Sequence, residues 1–287
     1  LDAKLRSIVL ANGLQAFYDE QALQSVLRRV CAVDFARLAA DWAISAELAR
    51  DLCSLALYDV VFFCDDSGSM AFEDGGERIQ DLKYILGKVA SVVGAFDEDG
   101  MSVRFINSPA KADGVRDEAG ALQALAGVGF NGGTALGTQL RAKVIEPMVL
   151  GRCKGFLGRV QSAIGMSGGL AKPVLAFVIT DGEPAGEHRG TLQQVLRDTR
   201  AALAGTKYGP KALAVQVAQV GKDARAQRFL AELDNDPTVG DVVDCTSYYE
   251  LEADEFQRKN PGVVLTPELW LLKMCLGAID PEYDGMD

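Results

Sequence analysis

The sequence predicts an α/β protein, a doubly wound and mostly parallel sheet flanked by helices, with a helical N-terminal extension. Three observations carry that expectation. Residues 60–64 (VVFFC) and 173–180 (PVLAFVIT) are short continuous apolar runs, the pattern of strands buried on both faces. Amphipathic stretches of helical period separate them. Strand and helix patterns then alternate to about residue 245, as βαβ units require.

Residues 1–57 read as three or four short helices packed on the α/β domain. Leu23, Val26, Leu27 and Val30 share a helical stripe, as do Phe35, Leu38, Ala39 and Trp42. Asp19, Asp34 and Ser45 are N-cap candidates, and Asn12-Gly13 is a helix stop. After the strand at 60–64, Ile79, Leu82, Leu86, Val89, Val93 and Phe96 mark one helix face. MSVRFIN (101–107) alternates like a strand. Residues 135–150 are helical, weakened at Pro147. Residues 151–172, Gly-rich and basic, read as a helical turn and a loop. Helix is expected at 191–203 and 224–233, and strand at 212–220 and 241–245. Beyond 250, the chain looks helical around 267–276 and then frays. The expected division is a helical extension at 1–57, an α/β domain at 58–250 and a C-terminal helical extension and tail at 251–287.

The 287 residues are 48% apolar, enough for a sizeable core. Lys and Arg total 29 against 40 Asp and Glu, a formal charge of −11. That sign argues against nucleic acid and anionic membrane surfaces, which need a cationic footprint. No apolar run approaches the length of a membrane span, so no membrane insertion is expected. The six cysteines, Cys31, Cys53, Cys64, Cys153, Cys245 and Cys275, form no CxxC pair. With no leader pattern after Leu1, they point to a reducing, cytoplasmic location.

The chemistry gathers where the buried strands end. FFCDDSGSM supplies Asp65, Ser67 and Ser69; FVITDGEP supplies Thr180, Asp181 and Glu183; GFNGGTALG supplies Thr134 at a loop-to-helix junction. In open parallel sheets ligands collect at the carboxyl ends of strands, at the point where strand order reverses. Hydroxyls and carboxylates without His or Cys suit a hard divalent cation. A helix starting at once after Ser69 would oppose a cation through its dipole, so AFEDGGE is expected to delay it.

D-x-S-G-S-M after a buried strand, G-G-T-A-L downstream and I-T-D-G closing a later strand resemble the von Willebrand factor A domain, whose signature is the metal-ion-dependent adhesion site. The resemblance covers about residues 58–250. It implies a Rossmann-like fold and a Mg²⁺ ion, with Mn²⁺ or Ca²⁺ as substitutes. Ser67 and Ser69 would ligate directly, Thr134 directly or through water, and Asp65 and Asp181 would hold coordinating waters and the serine hydroxyls. It further implies metal-dependent binding of a protein partner that presents Asp or Glu, with no bond broken. The lead-in 14–42 resembles uncharacterised fungal members of the family.

Other patterns compete. GVGFNG (127–132) matches a dinucleotide fingerprint, but helix rather than strand precedes it. GMSGG (165–169) matches a nucleophile elbow, yet no strong strand precedes Ser167. CDDSGS resembles an aspartyl-phosphate site, with Ser67 where a second carboxylate is needed. Asp66 reads as a solvated or outer acid rather than a ligand and His188 as a surface residue; for Glu183, two residues past Asp181, contact with a coordinated water is the lesser reading. The alternative function is a metal-dependent hydrolase or phosphoryl-transfer enzyme using the same cation, with Asp66, Glu183 or His188 as its base.

Overall fold

The computed structural model describes residues 1–97, 99–151 and 169–284. The sequence readings of Cys153, Ser167 and most of the Gly-rich stretch therefore lie outside the described residues.

The N-terminal helices are α1 (Asp2–Ala11), α2 (Glu20–Cys31), α3 (Phe35–Asp41) and α4 (Ala46–Asp51). The expected caps form: Asp19, Asp34 and Ser45 accept from the backbone N–H groups of Ala22, Arg37 and Leu48. Each such cap contributes about 1 kcal/mol. Asn12 closes α1, and Gly13 comes next in the left-handed region at φ 64°.

The sheet begins with β1 (Asp59–Cys64), followed by a single turn α5 (Gly68–Phe72) and the long α6 (Glu77–Phe96). Next come β2 (Met101–Phe105), β3 (Lys111–Val115), α7 (Glu118–Leu125) and α8 (Leu136–Leu140). After these lie β4 (Val174–Thr180), α9 (Thr191–Ala204), β5 (Leu213–Gln219), α10 (Ala224–Asp234) and β6 (Val243–Thr246). The chain continues through α11 (Tyr249–Lys259), α12 (Pro267–Leu276) and α13 (Pro281–Asp284).

Strand order is β3-β2-β1-β4-β5-β6, parallel except for β3. The doubly wound α/β expectation is thus met, and order reverses between β1 and β4. Both are buried along almost their whole length, which is why they read as unbroken apolar runs. Phe62 and Phe177 sit opposite each other in register and stack with ring centroids 4.9 Å apart.

Three elements depart from the sequence expectation. The antiparallel edge strand β3, KADGV, is mostly exposed and offered no apolar alternation. Helix α11 has no fully buried residue, only the half-buried Tyr249, Ala253 and Phe256 against the core, and it spans position 250. Residues Arg141–Leu150 continue α8 as a π-helix. Pro147 donates no N–H and its ring crowds the preceding turn, so the wider winding accommodates it. Gly151 closes the segment by donating to Glu146 O.

Two apolar cores cover the sheet faces. One contains Leu140, Val144, Leu192, Leu196 and Leu230 from α8 to α10. The other joins α6 and α12 to the N-terminal layer, with Leu5, Ile8, Val26, Val30 and Trp42 in one cluster with Phe62 and Phe177. The chain ends meet on this side. Lys4 Nζ lies 2.6 Å from Asp280, Asn12 Nδ2 donates to Ile279 O at 2.7 Å, and Tyr283 donates to Asp51 at 2.7 Å. Among the described residues no helix is long and apolar enough to cross a membrane.

Candidate metal centre

The carboxyl ends of β1 and β4 flank the reversal of strand order, where diverging connections leave a crevice. Asp65 extends the β1 ladder by donating its N–H to Ile179 O. Its side chain then shapes the turn: Oδ1 accepts from Ser67 N at 2.8 Å, and Oδ2 accepts from Thr180 Oγ1 at 2.6 Å. That turn aims Ser67 into α5, whose first turn carries Ser69. Ser67 Oγ and Ser69 Oγ stand 3.1 Å apart, and Ser69 Oγ donates to Asp181 Oδ1 at 3.0 Å. Asp65, Ser67 and Asp181 are buried, while Ser69 is half-buried.

Thr134 arrives on a loop strapped to both neighbours. Gly68 N donates to Gly132 O, Asn131 N to Asp66 O, and Ala185 N to Thr134 O. Gly132 adopts φ +93°, and a Cβ there would stand 2.7 Å from Asn107 Oδ1, so the loop requires glycine. Thr134 consequently lines one cavity, of about 210 Å³, together with Ser69, Asp181 and Glu183. All five residues singled out from the sequence meet here: Ser69, Thr134 and Asp181 in the wall, Ser67 in contact with Ser69, and Asp65 behind Ser67.

The donor set fits a small hard cation. With metal–oxygen bonds of roughly 2.0–2.1 Å, neighbouring ligands of an octahedron lie about 2.9–3.0 Å apart. The Ser67–Ser69 and Ser69–Asp181 separations are 3.1 and 3.0 Å. Among the described residues no three His, Cys, Asp or Glu side chains gather as a metal site. The oxygens here are the hydroxyls of Ser67, Ser69 and Thr134 beside the carboxylates of Asp65 and Asp181.

Electrostatics at this point are set by a residue that pattern reading passed over. The Arg78 guanidinium is buried and donates to Asp181 Oδ2 at 2.5 Å, Asp74 at 2.7 Å and Glu73 at 2.7 Å. Burial alone would lower its pKa, but the bonds to Asp181 and Asp74 lift it above the ordinary arginine value. Gly221 makes room, since a Cβ there would lie 2.4 Å from Arg78 Nε. One signal existed: Arg78 lies four residues before Leu82 on the apolar stripe of α6, where a charge is unusual unless paired. Burial pushes Asp65 up to about 6 and Asp181 adds to this, against the lowering hydrogen bonds from Ser67 and Thr180.

Asp66 is neither solvated nor an outer acid of the cavity. It is fully buried, and its oxygens accept from Asn107 N and Ser108 N at 2.7 Å each and from Asn107 Nδ2 at 3.3 Å. It holds the loop after β2 in place by accepting from two successive backbone N–H groups, of the exposed Asn107 and the half-buried Ser108. The expectation of a delayed helix is half right: α6 starts only at Glu77, but the single turn α5 begins at Gly68. His188 is exposed, as expected.

No protein-family model and no curated protein matches the chain. Among solved structures it is similar to proximal thread matrix protein 1 from the mussel byssus. Crystal form 2 of that protein shows 18% identity and a TM-score of 0.41, over 66% of this chain and 43% of the other. A structure of the same protein described as having a zinc-occupied MIDAS motif gives 18% and 0.41 over 70% and 46%. The chain spans less than half the length of these neighbours. Likeness at that level adds nothing to the reading of the site, which rests on this chain's own residues.

Proposed function

We propose that this chain is a divalent-cation-dependent protein-binding module of the von Willebrand factor A type, with residues 58–250 as the module and 1–57 and 251–287 as helical buttresses. Ser67, Ser69 and Thr134 would hold Mg²⁺, or Mn²⁺ or Ca²⁺ in its place, and the partner would present an Asp or Glu carboxylate. The observation that supports this best is that Ser69, Thr134 and Asp181, from three separate loops, line one cavity, with Ser67 Oγ 3.1 Å from Ser69 Oγ. When bound, the cation supplies a positive centre that attracts the carboxylate. Asp65 fixes Ser67 through its backbone N–H, Asp181 orients the Ser69 hydroxyl, and Arg78 neutralises the outer oxygen of Asp181. With uncharged alcohols as the inner donors, little of the cation's charge is cancelled before a partner arrives.

The test is calorimetric titration with Mg²⁺, Mn²⁺ and Ca²⁺ of the wild-type chain and of Ser69→Ala and Thr134→Ala, followed by selection of displayed peptides with and without chelator. Saturable binding lost in both variants, and chelator-sensitive capture of acidic peptides, are expected. Absence of saturable cation binding overturns the reading. The hydrolase alternative has less support. Of the three bases considered, Asp66 is committed to backbone donors and His188 is exposed outside the cavity lining, which leaves Glu183; the other carboxylates of the wall, Glu73, Asp181 and Asp223, are held by Arg78 or Arg225. No Mg²⁺-dependent turnover of p-nitrophenyl phosphate is expected.

A further inference from the structure

Thr134 is followed closely by α8, whose N-cap position is Ala135, a residue with no side-chain acceptor. The N–H groups of the second and third residues of a helix are ordinarily bonded by the capping side chain. Here a group 50 residues further along the chain takes that place. Glu187, on the connection from β4 to α9, accepts from Gly137 N at 2.9 Å through Oε1. Its Oε2 accepts from Thr138 N at 2.8 Å and from Thr138 Oγ1 at 2.7 Å. Ala185, on the same connection, donates its N–H to Thr134 O at 2.9 Å. Gly137 is buried against the start of α9, where a Cβ would stand 2.6 Å from Leu192 N. Glu187 itself is half-buried and lies outside the lining of the cation cavity.

A Ser or Asp at 135 would cap α8 wherever the loop after β4 lay. A carboxylate from that loop caps it only when the two are docked, so the start of α8 and the loop bearing Asp181 hold one another in place. Hydrogen bonds to a carboxylate are the stronger kind, and three converge on this one group. The Ser67–Ser69 side of the crevice is shaped separately, by Asp65. We infer that Glu187 is a positioning residue: by tying the start of α8 to the loop after β4, it sets where the Thr134 hydroxyl stands relative to Asp181. Its effect on cation affinity rests on the function proposed above; the tie itself does not.

The full chain, Glu187→Ala and Glu187→Gln are compared by amide hydrogen exchange in chelator and by calorimetric titration with Mg²⁺. Gly137 still packs on α9 in both variants, so both are expected to fold. In chelator, exchange of the Ala185 N–H should quicken about tenfold in Glu187→Ala, and less in Glu187→Gln, which keeps one acceptor oxygen. The Ser67 N–H, bonded to Asp65 across the crevice, should keep its wild-type rate. Mg²⁺ affinity should fall about tenfold in Glu187→Ala, as it does when a group that orients a metal ligand is removed. Unchanged exchange at Ala185, or equal acceleration at Ala185 and Ser67, makes Glu187 a stabilising cap and no more, and overturns the inference. Wild-type Mg²⁺ affinity in Glu187→Ala overturns it as well. Because the exchange measurement needs no metal, a wild-type chain that binds no Mg²⁺ while Ala185 responds as expected would sink the metal reading and leave the tie standing.

Discussion

Replacing Arg78 with methionine removes the cation bonded to Asp181 while keeping a side chain of similar reach. The Arg78–Asp181 contact is the buried one of three, since the Glu73 and Asp74 side chains are 55% and 40% exposed. Breaking a buried pair from one side costs about 3–5 kcal/mol, consistent with about 4 kcal/mol for unit charges about 4 Å apart at an effective dielectric of 20. The exposed contacts add less than about 1 kcal/mol each. Urea unfolding in chelator should therefore show a loss of about 3–4 kcal/mol relative to wild type. Removing a positive charge next to the crevice should also tighten cation binding, by about tenfold. With Mg²⁺ well above both dissociation constants, the stabilisation it confers should then exceed that of wild type by about 1.4 kcal/mol. A loss below about 1 kcal/mol in chelator would remove Arg78 as a structural counter-charge. An equal Mg²⁺ increment in both proteins would separate it from the cation site.

Asp66→Ala removes the buried acceptor of the Asn107 and Ser108 N–H groups and should cost about 1–2 kcal/mol by urea unfolding; a loss under about 0.5 kcal/mol would show that water replaces the carboxylate without penalty. Asp81 has its pKa raised to about 6, first by burial and then by Glu250, Glu77 and Asp74. A raised folded-state pKa means stability that is full below the ordinary value near 4 and is lost as pH rises through about 6. Asp81→Asn should therefore raise the melting temperature at pH above about 7 and leave it unchanged near pH 4. Because the side chain is solvent-exposed and screened, the gain should stay below about 1 kcal/mol. A melting-temperature difference independent of pH would refute this account.

The sequence by itself determined the sheet, because burial on two faces writes an unbroken apolar run at 60–64 and 173–180, and a helix covering one face writes a stripe from Ile79 to Phe96. It also marked the oxygens, since Asp65 and Asp181 follow buried strands, while Ser67, Ser69 and Thr134 lie at the start of short helices. These signals are local: each can be read within one element. Only the tertiary structure decided what those oxygens touch. Asp181 meets Ser69 and Arg78 across more than a hundred residues, Asp66 turns inward to the Asn107 loop, and Gln219 ends a buried strand with one oxygen unanswered. Strand β3 and helix α11 lacked buried stripes and became visible only once the sheet edge and the α12 surface gave them a place. Charge pairing and the satisfaction of buried polar atoms depend on what chain closure brings within about 3 Å, and no periodicity encodes that.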